Sequence, residues 1–249
     1  MSQITAGIII IGNEILSGRT KDSNSNFIAK ELVKIGIKLS EIRFIPDEIQ
    51  SIKKNIIDFH NKFTYVFTTG GIGPTHDDIT SESIASAFKK KYITDQRILK
   101  ILKEYYNKEG LNEGRKKMAR VPEGCELILN PLTAAPGFKI YNIYVLPGVP
   151  VIMKKMFKSL IKSLKKGKSK NIKTIKTNLF ESVIAPKLSK IQKKYKFYEI
   201  GSYPYYNFKK KRGGVNIVIS SWKKDDLSLV NDEILKMISL LGGKSFIVW

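Results

Sequence analysis

The sequence predicts an α/β protein built on a doubly wound, mostly parallel sheet, with a small α+β domain following it. Three observations predict this. Strand-like and helix-like segments alternate at βαβ spacing through the first half of the chain. The run Ile8-Ile9-Ile10-Ile11 is apolar without alternation, as a strand buried on both faces requires. A lysine-rich stretch with a glycine, residues 162–173, then separates this pattern from a second one.

Taken in order, Thr5–Ile11 reads as the first strand. A polar turn leads to a helix starting near Ser23 or Asn24, with Phe27, Ile28, Leu32 and Val33 at helical spacing and Gly36 ending it. Residues 38–45 alternate as a second strand. Asp47 suits the N-cap of a helix whose Ile49, Ile52, Ile56 and Ile57 share one face. Residues 65–68 make a third strand, running directly into a glycine-rich loop. Helices follow over 80–88 and 95–109, then a short strand over 125–129 and a hairpin, 138–140 with 143–146, around Tyr141-Asn142. Pro150 opens a helix, where its missing N–H leaves nothing unpaired. Past the linker the order is strand (172–179), helix (181–193), strand (197–203), strand (215–221) and helix (227–241). This gives domains over 1–165 and 172–249, the second a βαββα unit.

Composition excludes several classes. Of the 249 residues 42% are hydrophobic, enough for a large core and too many for a disordered chain. The single cysteine, Cys125, permits no intrachain disulfide, and two histidines cannot complete a Cys/His zinc site; both suit a reducing cytoplasm. No segment is apolar for long enough to cross a membrane, so a soluble protein is expected. The net charge of +22 invites a nucleic-acid reading. The excess, however, is mostly lysine spread along the chain, without the arginines of base readout or aromatics interleaved with charge. A solvated basic surface is the expectation, and nucleic acid is not the expected partner.

The chemistry concentrates in Thr68-Thr69-Gly70-Gly71-Ile72-Gly73-Pro74-Thr75-His76-Asp77-Asp78-Ile79-Thr80. Glycines after a strand let backbone N–H groups turn toward a ligand, and the following helix adds its partial positive charge, so the loop suits an anion. Thr69 and Thr75 add hydroxyls. Neither a Walker loop nor a dinucleotide fingerprint is present. Two carboxylates beside a phosphate would repel it, unless a divalent cation lies between them or one carboxylate binds a sugar hydroxyl. Glu14 and Asp47 stand at the ends of the first two strands, so the fold can gather four acids on one rim. Capping of the following helix is the lesser reading of Asp78, a solvated loop residue is the leading one of His76, and Met118, Met153 and Met156 read as packing. Leu146-Pro147-Gly148-Val149-Pro150 is a second glycine-bearing strand end, placed to close the site from the other side.

Residues 69–80 (TGGIGPTHDDIT) resemble the loop of the MoaB/Mog-type molybdopterin-binding superfamily, and above all the branch that holds the CinA N-terminal domain and the molybdopterin-binding-like domain of eukaryotic FAD synthases. Residues 7–24, Ile45-Pro46-Asp47-Glu48, Leu146-Pro147-Gly148-Val149-Pro150 and Ile200-Gly201-Ser202-Tyr203-Pro204 match in the same order, so the resemblance covers nearly the whole chain. It implies a MoaB/Mog-like fold with a phosphate or pyrophosphate on the glycine loop. Asp47 and Asp78 match two aspartates that act on the nucleotide or pterin in Mog-type members. The CinA and FAD-synthase branch implies metal-dependent cleavage of pyrophosphate bonds, as in FAD or ADP-ribose. No amidohydrolase or adenylyltransferase segment is recognisable, so those activities are not expected to carry over.

The resulting expectation is a nucleotide pyrophosphatase. Asp78 and Asp47 would be catalytic. Thr69, Gly70, Gly71, Gly73, Thr75, Pro147 and Gly148 would hold the phosphate. Asp77, Asp78 and Glu14 would hold magnesium, manganese or cobalt. The alternative is a molybdopterin-binding or adenylylating protein of molybdenum-cofactor biosynthesis. Dimers and trimers both occur among such folds, so a homo-oligomer is compatible with either.

Overall fold

The computed structural model describes residues 3–107, 109–208, 212–223 and 226–248. The chain divides into two compact units, Met1–Gly167 and Lys168–Trp249.

The first unit opens with β1 (Thr5–Ile11), a short helix α1 (Asn13–Leu16), α2 (Asn24–Lys34), β2 (Lys38–Ile45), α3 (Ile49–Lys62) and β3 (Tyr65–Thr69). After the glycine loop come α4 (Thr80–Ala87), β4 (Tyr92–Thr94), α5 (Gln96–Tyr105), α6 (Glu113–Lys117), β5 (Arg120–Pro122) and β6 (Glu126–Ile128). The hairpin β7 (Gly137–Ile140) and β8 (Ile143–Leu146) and the helix α7 (Pro150–Leu160) complete the unit. The main sheet has the order β2-β1-β3-β8-β7-β6. β2, β1, β3 and β8 pair in parallel, and the hairpin adds β7 and β6 antiparallel. β1 is the innermost test of the pattern: Ile9 and Ile11 enter the core on one face and Ile8 and Ile10 the core on the other. Helix α3 closes the first core with Ile52, Ile56 and Phe59, while α2 and α7 close the second with Ile28, Leu32, Met153 and Phe157.

Several sequence expectations need correction here. Residues 95–109 are not one helix, because α5 ends at Tyr105 and the chain turns before α6. Cys125 lies before its strand, buried in a turn. The ribbon β4–β5 and helix α1 had no periodicity long enough to announce them. Asp47 does not cap α3, whose N-cap is Glu48 without a side-chain bond. Neither Ser23 nor Asn24 caps α2 with its side chain; the Asp22 carboxylate accepts the N–H groups of Asn24 (3.0 Å) and Ser25 (3.3 Å). The expected linker is partly structured: Ile161–Ser163 forms a 3₁₀ turn and the Gly167 N–H donates to the Ile35 carbonyl.

The second unit comprises β9 (Asn171–Thr177), α8 (Glu181–Lys194), β10 (Glu199–Asn207), β11 (Arg212–Ser221), α9 (Ser228–Leu240) and β12 (Ser245–Val248). The final strand extends the expected βαββα to βαββαβ. Its sheet runs β10-β11-β9-β12, antiparallel throughout. Both helices bury Ile184, Leu188, Ile234 and Ile238 against Ile175, Val215, Ile217 and Ile219. Among the described residues no helix is long and apolar enough to cross a membrane.

Candidate functional site

Parallel pairing places the carboxyl ends of β1, β2, β3 and β8 at one edge of the sheet, where open α/β sheets leave a crevice. A cleft of about 560 Å³ lies there. Glu14, Asp47, Gly70, Gly71, Gly73, Thr75, Asp77, Asp78, Pro147 and Gly148 all line it. Four strand ends far apart in sequence thus supply one site.

Glycine is required where the loop leaves β3. Gly70 has φ +106°, and a Cβ there would lie 2.1 Å from the Ile11 carbonyl oxygen. Gly71 has φ +68°, and its Cβ would meet the Thr80 hydroxyl at 2.1 Å. The Gly71 carbonyl accepts the Thr80 N–H at 2.9 Å, which pins the loop to the first turn of α4. Two expectations change. The Gly70 N–H is not an anion donor, because it donates to the Leu146 carbonyl at 3.1 Å and so extends the sheet. Thr69 does not line the cleft: as the last residue of β3 it is buried. The N–H groups of Gly71, Ile72 and Gly73 have no partner among the described residues and are open to solvent or a ligand.

The acids occupy the facing rim. Asp78 Oδ2 accepts from the Thr75 N–H (2.8 Å) and hydroxyl (2.6 Å), and the same hydroxyl lies 2.5 Å from Asp77 Oδ1. Thr75 therefore organises the two aspartates, and its own N–H is already engaged. Its hydroxyl, with a backbone N–H, holds Asp77 below the usual carboxylate range, and His76 and Lys117 add to the effect. His76 is exposed and does not line the cleft. Asp47 turns its carboxylate onto the Asn13 N–H at 2.8 Å. Burial pushes its carboxyl up, the Asn13 bond opposes this, and Glu14, Asp77 and Asp78 raise it further. Glu14 folds back toward Gly12, where a Cβ would meet its Oε1 at 2.6 Å. Among the described residues no three acidic, histidine or cysteine side chains form a group able to hold a metal ion by themselves. Asp77, Asp78 and Glu14 are thus neighbours on one rim and not a closed ligand set: the Thr75 hydroxyl holds the two aspartates together, while Glu14 stands apart beside Gly12.

The sequence reading passed over other walls of the cleft. Tyr106 and Met118 line it from the segment between α5 and β5, with the Arg115 guanidinium 3.9 Å from the Tyr106 ring centre. Asn130 and Thr133 line it from the loop before β7. Asn130 shapes that loop by accepting the Leu132 and Thr133 N–H groups and donating to the Ala135 carbonyl. Only the Asn-Pro and Pro-Gly pairs bounding this loop hinted at it. Asn24, buried at the start of α2, donates to the Gly148 carbonyl at 2.8 Å and so ties down the second glycine loop, while its Oδ1 has no partner.

Residues 7–166 match the family described as "Probable molybdopterin binding domain". The chain belongs to this molybdopterin-binding domain family. Residues 171–241 match "FAD synthase, middle domain", so both units have family counterparts. A protein of Archaeoglobus fulgidus is 37% identical over 197 residues, covering 79% of this chain and 84% of its own. A "Probable FAD synthase" of Caenorhabditis briggsae is 32% identical and covers 80% of this chain, which spans only 43% of that longer protein. The crystal structure of CinA from Thermoplasma acidophilum aligns with a TM-score of 0.61 at 32% identity, over 65% of this chain and 98% of that one. The CinA and FAD-synthase branch is therefore the one this molybdopterin-binding domain resembles along its length.

Proposed function

We propose that the cleft binds a phosphorylated nucleotide or pterin and, with a divalent cation, hydrolyses the pyrophosphate bond of an FAD- or ADP-ribose-type nucleotide in the cytoplasm. One observation carries this reading. Three N–H groups without partners among the described residues, those of Gly71, Ile72 and Gly73, share a single cleft with the carboxylates of Glu14, Asp47, Asp77 and Asp78. The amides suit an anion, yet the acids repel it, and a cation reconciles the two.

Magnesium is ordinarily held by one or two carboxylates together with substrate phosphates, which suits a rim where acids gather without closing a cage. Asp78 with Asp77 or Glu14 would hold the cation. When bound, it would polarise a phosphoryl oxygen and lower the pKa of a coordinated water. The chain itself does the rest. The three amides bind the phosphate and stabilise charge building on it, an effect worth about 3–4 kcal/mol per key donor. Asp47, with one oxygen fixed by Asn13 and its carboxyl raised, would orient water and receive its proton.

The test is incubation of the full chain with FAD or ADP-ribose and magnesium, manganese or cobalt. Release of a nucleoside monophosphate is expected. Asp78→Asn should lower it on the order of 10- to 100-fold. No turnover with any of the three metals, or full activity in Asp78→Asn, overturns the reading. A second reading, a pterin-binding or adenylylating protein of molybdenum-cofactor biosynthesis, is supported by the family matched over residues 7–166. It requires pterin fluorescence that co-purifies with the chain, and no cleavage of FAD.

A further inference from the structure

The charge is not shared evenly between the two units. Residues 1–167 carry 27 lysines and arginines against 16 acids, and residues 168–249 carry 17 against 6. The net excess is the same in both, although the second unit has half the length. Residues 168–249 are therefore the more densely basic part of the chain.

In that unit α8 and α9 pack on the same face of the sheet. Side chains alternate along a strand. With Ile175, Val215, Ile217 and Ile219 inside, Ile172 and Lys176 of β9 and Val218 of β11 face the other way. The pairings Tyr203 with Asn216 and Phe246 with Lys176 place both aromatics on this second face. Among the described residues no helix of the unit covers it. It is also not the polar surface that an exposed sheet face normally presents: Ile172 is 55%, Tyr203 58% and Phe246 60% exposed. A groove of about 580 Å³ lies between Ile172, Gly201, Tyr203 and Val218, with Lys170 at its margin, paired there with Glu199 at 2.6 Å. The Lys176 ammonium stands 4.3 Å from the Tyr205 ring centre, and its register with Phe246 and, through Asn216, with Tyr203 sets one cation among three rings on this face.

We propose that this open sheet face binds single-stranded nucleic acid. An unpaired strand presents what the face is built to meet: planar bases that stack on exposed rings, and phosphates spaced for lysines. A duplex offers the phosphates but hides the base faces. An acidic protein offers charge without a planar ring on every repeat of its polyanion. The interleaving of rings and cations is invisible in the linear sequence, because Tyr203, Lys176 and Phe246 come from three strands and meet only through the sheet register. The inference is independent of the cleft in the first unit.

The experiment is fluorescence anisotropy of a labelled oligo(dT) with the full chain across a salt series. Binding at low salt is expected, weakening as salt rises, with a blunt duplex bound more weakly. Tyr203→Ala, at an exposed position, should weaken oligo(dT) binding at least about five-fold and leave the salt slope unchanged. Tyr203→Phe should retain binding. Lys176→Gln should reduce the slope by roughly 0.7, the contribution of one phosphate. Absence of binding at low salt overturns the proposal. So do equal affinity for duplex, displacement by poly-glutamate as effective as by unlabelled oligo(dT), and a Tyr203→Ala variant that binds like the native chain.

Discussion

Asp78 braces its own loop, accepting both the backbone N–H and the hydroxyl of Thr75 through a single carboxylate oxygen. The residue expected to act on the ligand is therefore also a structural support, and the two roles separate by substitution. Asp78→Ala removes both bonds and is expected to destabilise the chain by about 1–3 kcal/mol in urea unfolding. Asp78→Asn keeps an acceptor, so it should unfold close to the native midpoint while losing turnover. If Asp78→Asn unfolds as early as Asp78→Ala, the carboxylate is chiefly a brace.

Gly71→Ala tests the turn out of β3. The substitution forces a left-handed backbone on alanine, at about 1–2 kcal/mol, and drives a methyl onto the Thr80 hydroxyl. A loss of roughly 2 kcal/mol or more is expected. Adding Thr80→Ala should recover the steric part and leave the backbone part. Equal stability of the single and double variants would show that the contact with Thr80 contributes nothing.

Asn24→Ala tests the tie between α2 and the second loop. The bond to the Gly148 carbonyl is lost and that carbonyl is left without its partner, at about 1 kcal/mol. Because Gly148 lines the cleft, affinity for ADP-ribose with magnesium should fall as well, read by calorimetry. A stability loss with unchanged affinity would confine Asn24 to folding.

Asp47 predicts a pH dependence. A carboxyl whose folded pKa exceeds its unfolded value holds its proton more tightly in the native state. Stability from this group falls as pH rises from the ordinary 3.8 through the raised value, and the loss is complete above it. Asp47→Asn removes that penalty while retaining an acceptor for the Asn13 N–H. Its Tm should exceed that of the native chain at pH 7, and the difference should shrink as pH falls below 4. A lower Tm for Asp47→Asn at pH 7 would contradict the raised carboxyl. Turnover, in contrast, should drop.

Much of this was legible in the residues, and the gaps have physical reasons. The run Ile8 to Ile11 announced a strand buried on both faces because every second residue enters a different core. Glu14, Asp47, Asp77 and Asp78 were readable as rim residues because parallel strands end at one edge. The roles of Thr69 and Gly70 were misread for a reason that sequence spacing does not express: the last strand bond, Gly70 to Leu146, falls one residue inside the glycine run. The Asp47 side chain lies before a helix and so mimicked a cap, but its partner, Asn13, sits 34 residues away. Tyr106 stood inside the helix expected over 95–109 and lies just beyond its observed end, Asn130 and Thr133 come from a loop without periodicity, and β12 is a four-residue strand recognised only by its pairing with β9.

Strand β8 joins a parallel neighbour to an antiparallel one, and its register with β3 sets Thr69 opposite Leu146. The two glycine loops consequently leave the sheet at the same level, so close that a Cβ on Gly148 would lie 3.4 Å from the Gly70 Cα. The starting points of both glycine loops are thereby fixed by strand pairing, whereas Thr20, Tyr106 and Thr133 reach the cleft from outside any strand. On the proposed reading, grip on the phosphate and choice of the group attached to it would be written in separate parts of the chain. A lineage could then exchange one heterocycle for another by altering those outer side chains and leave the cradle intact.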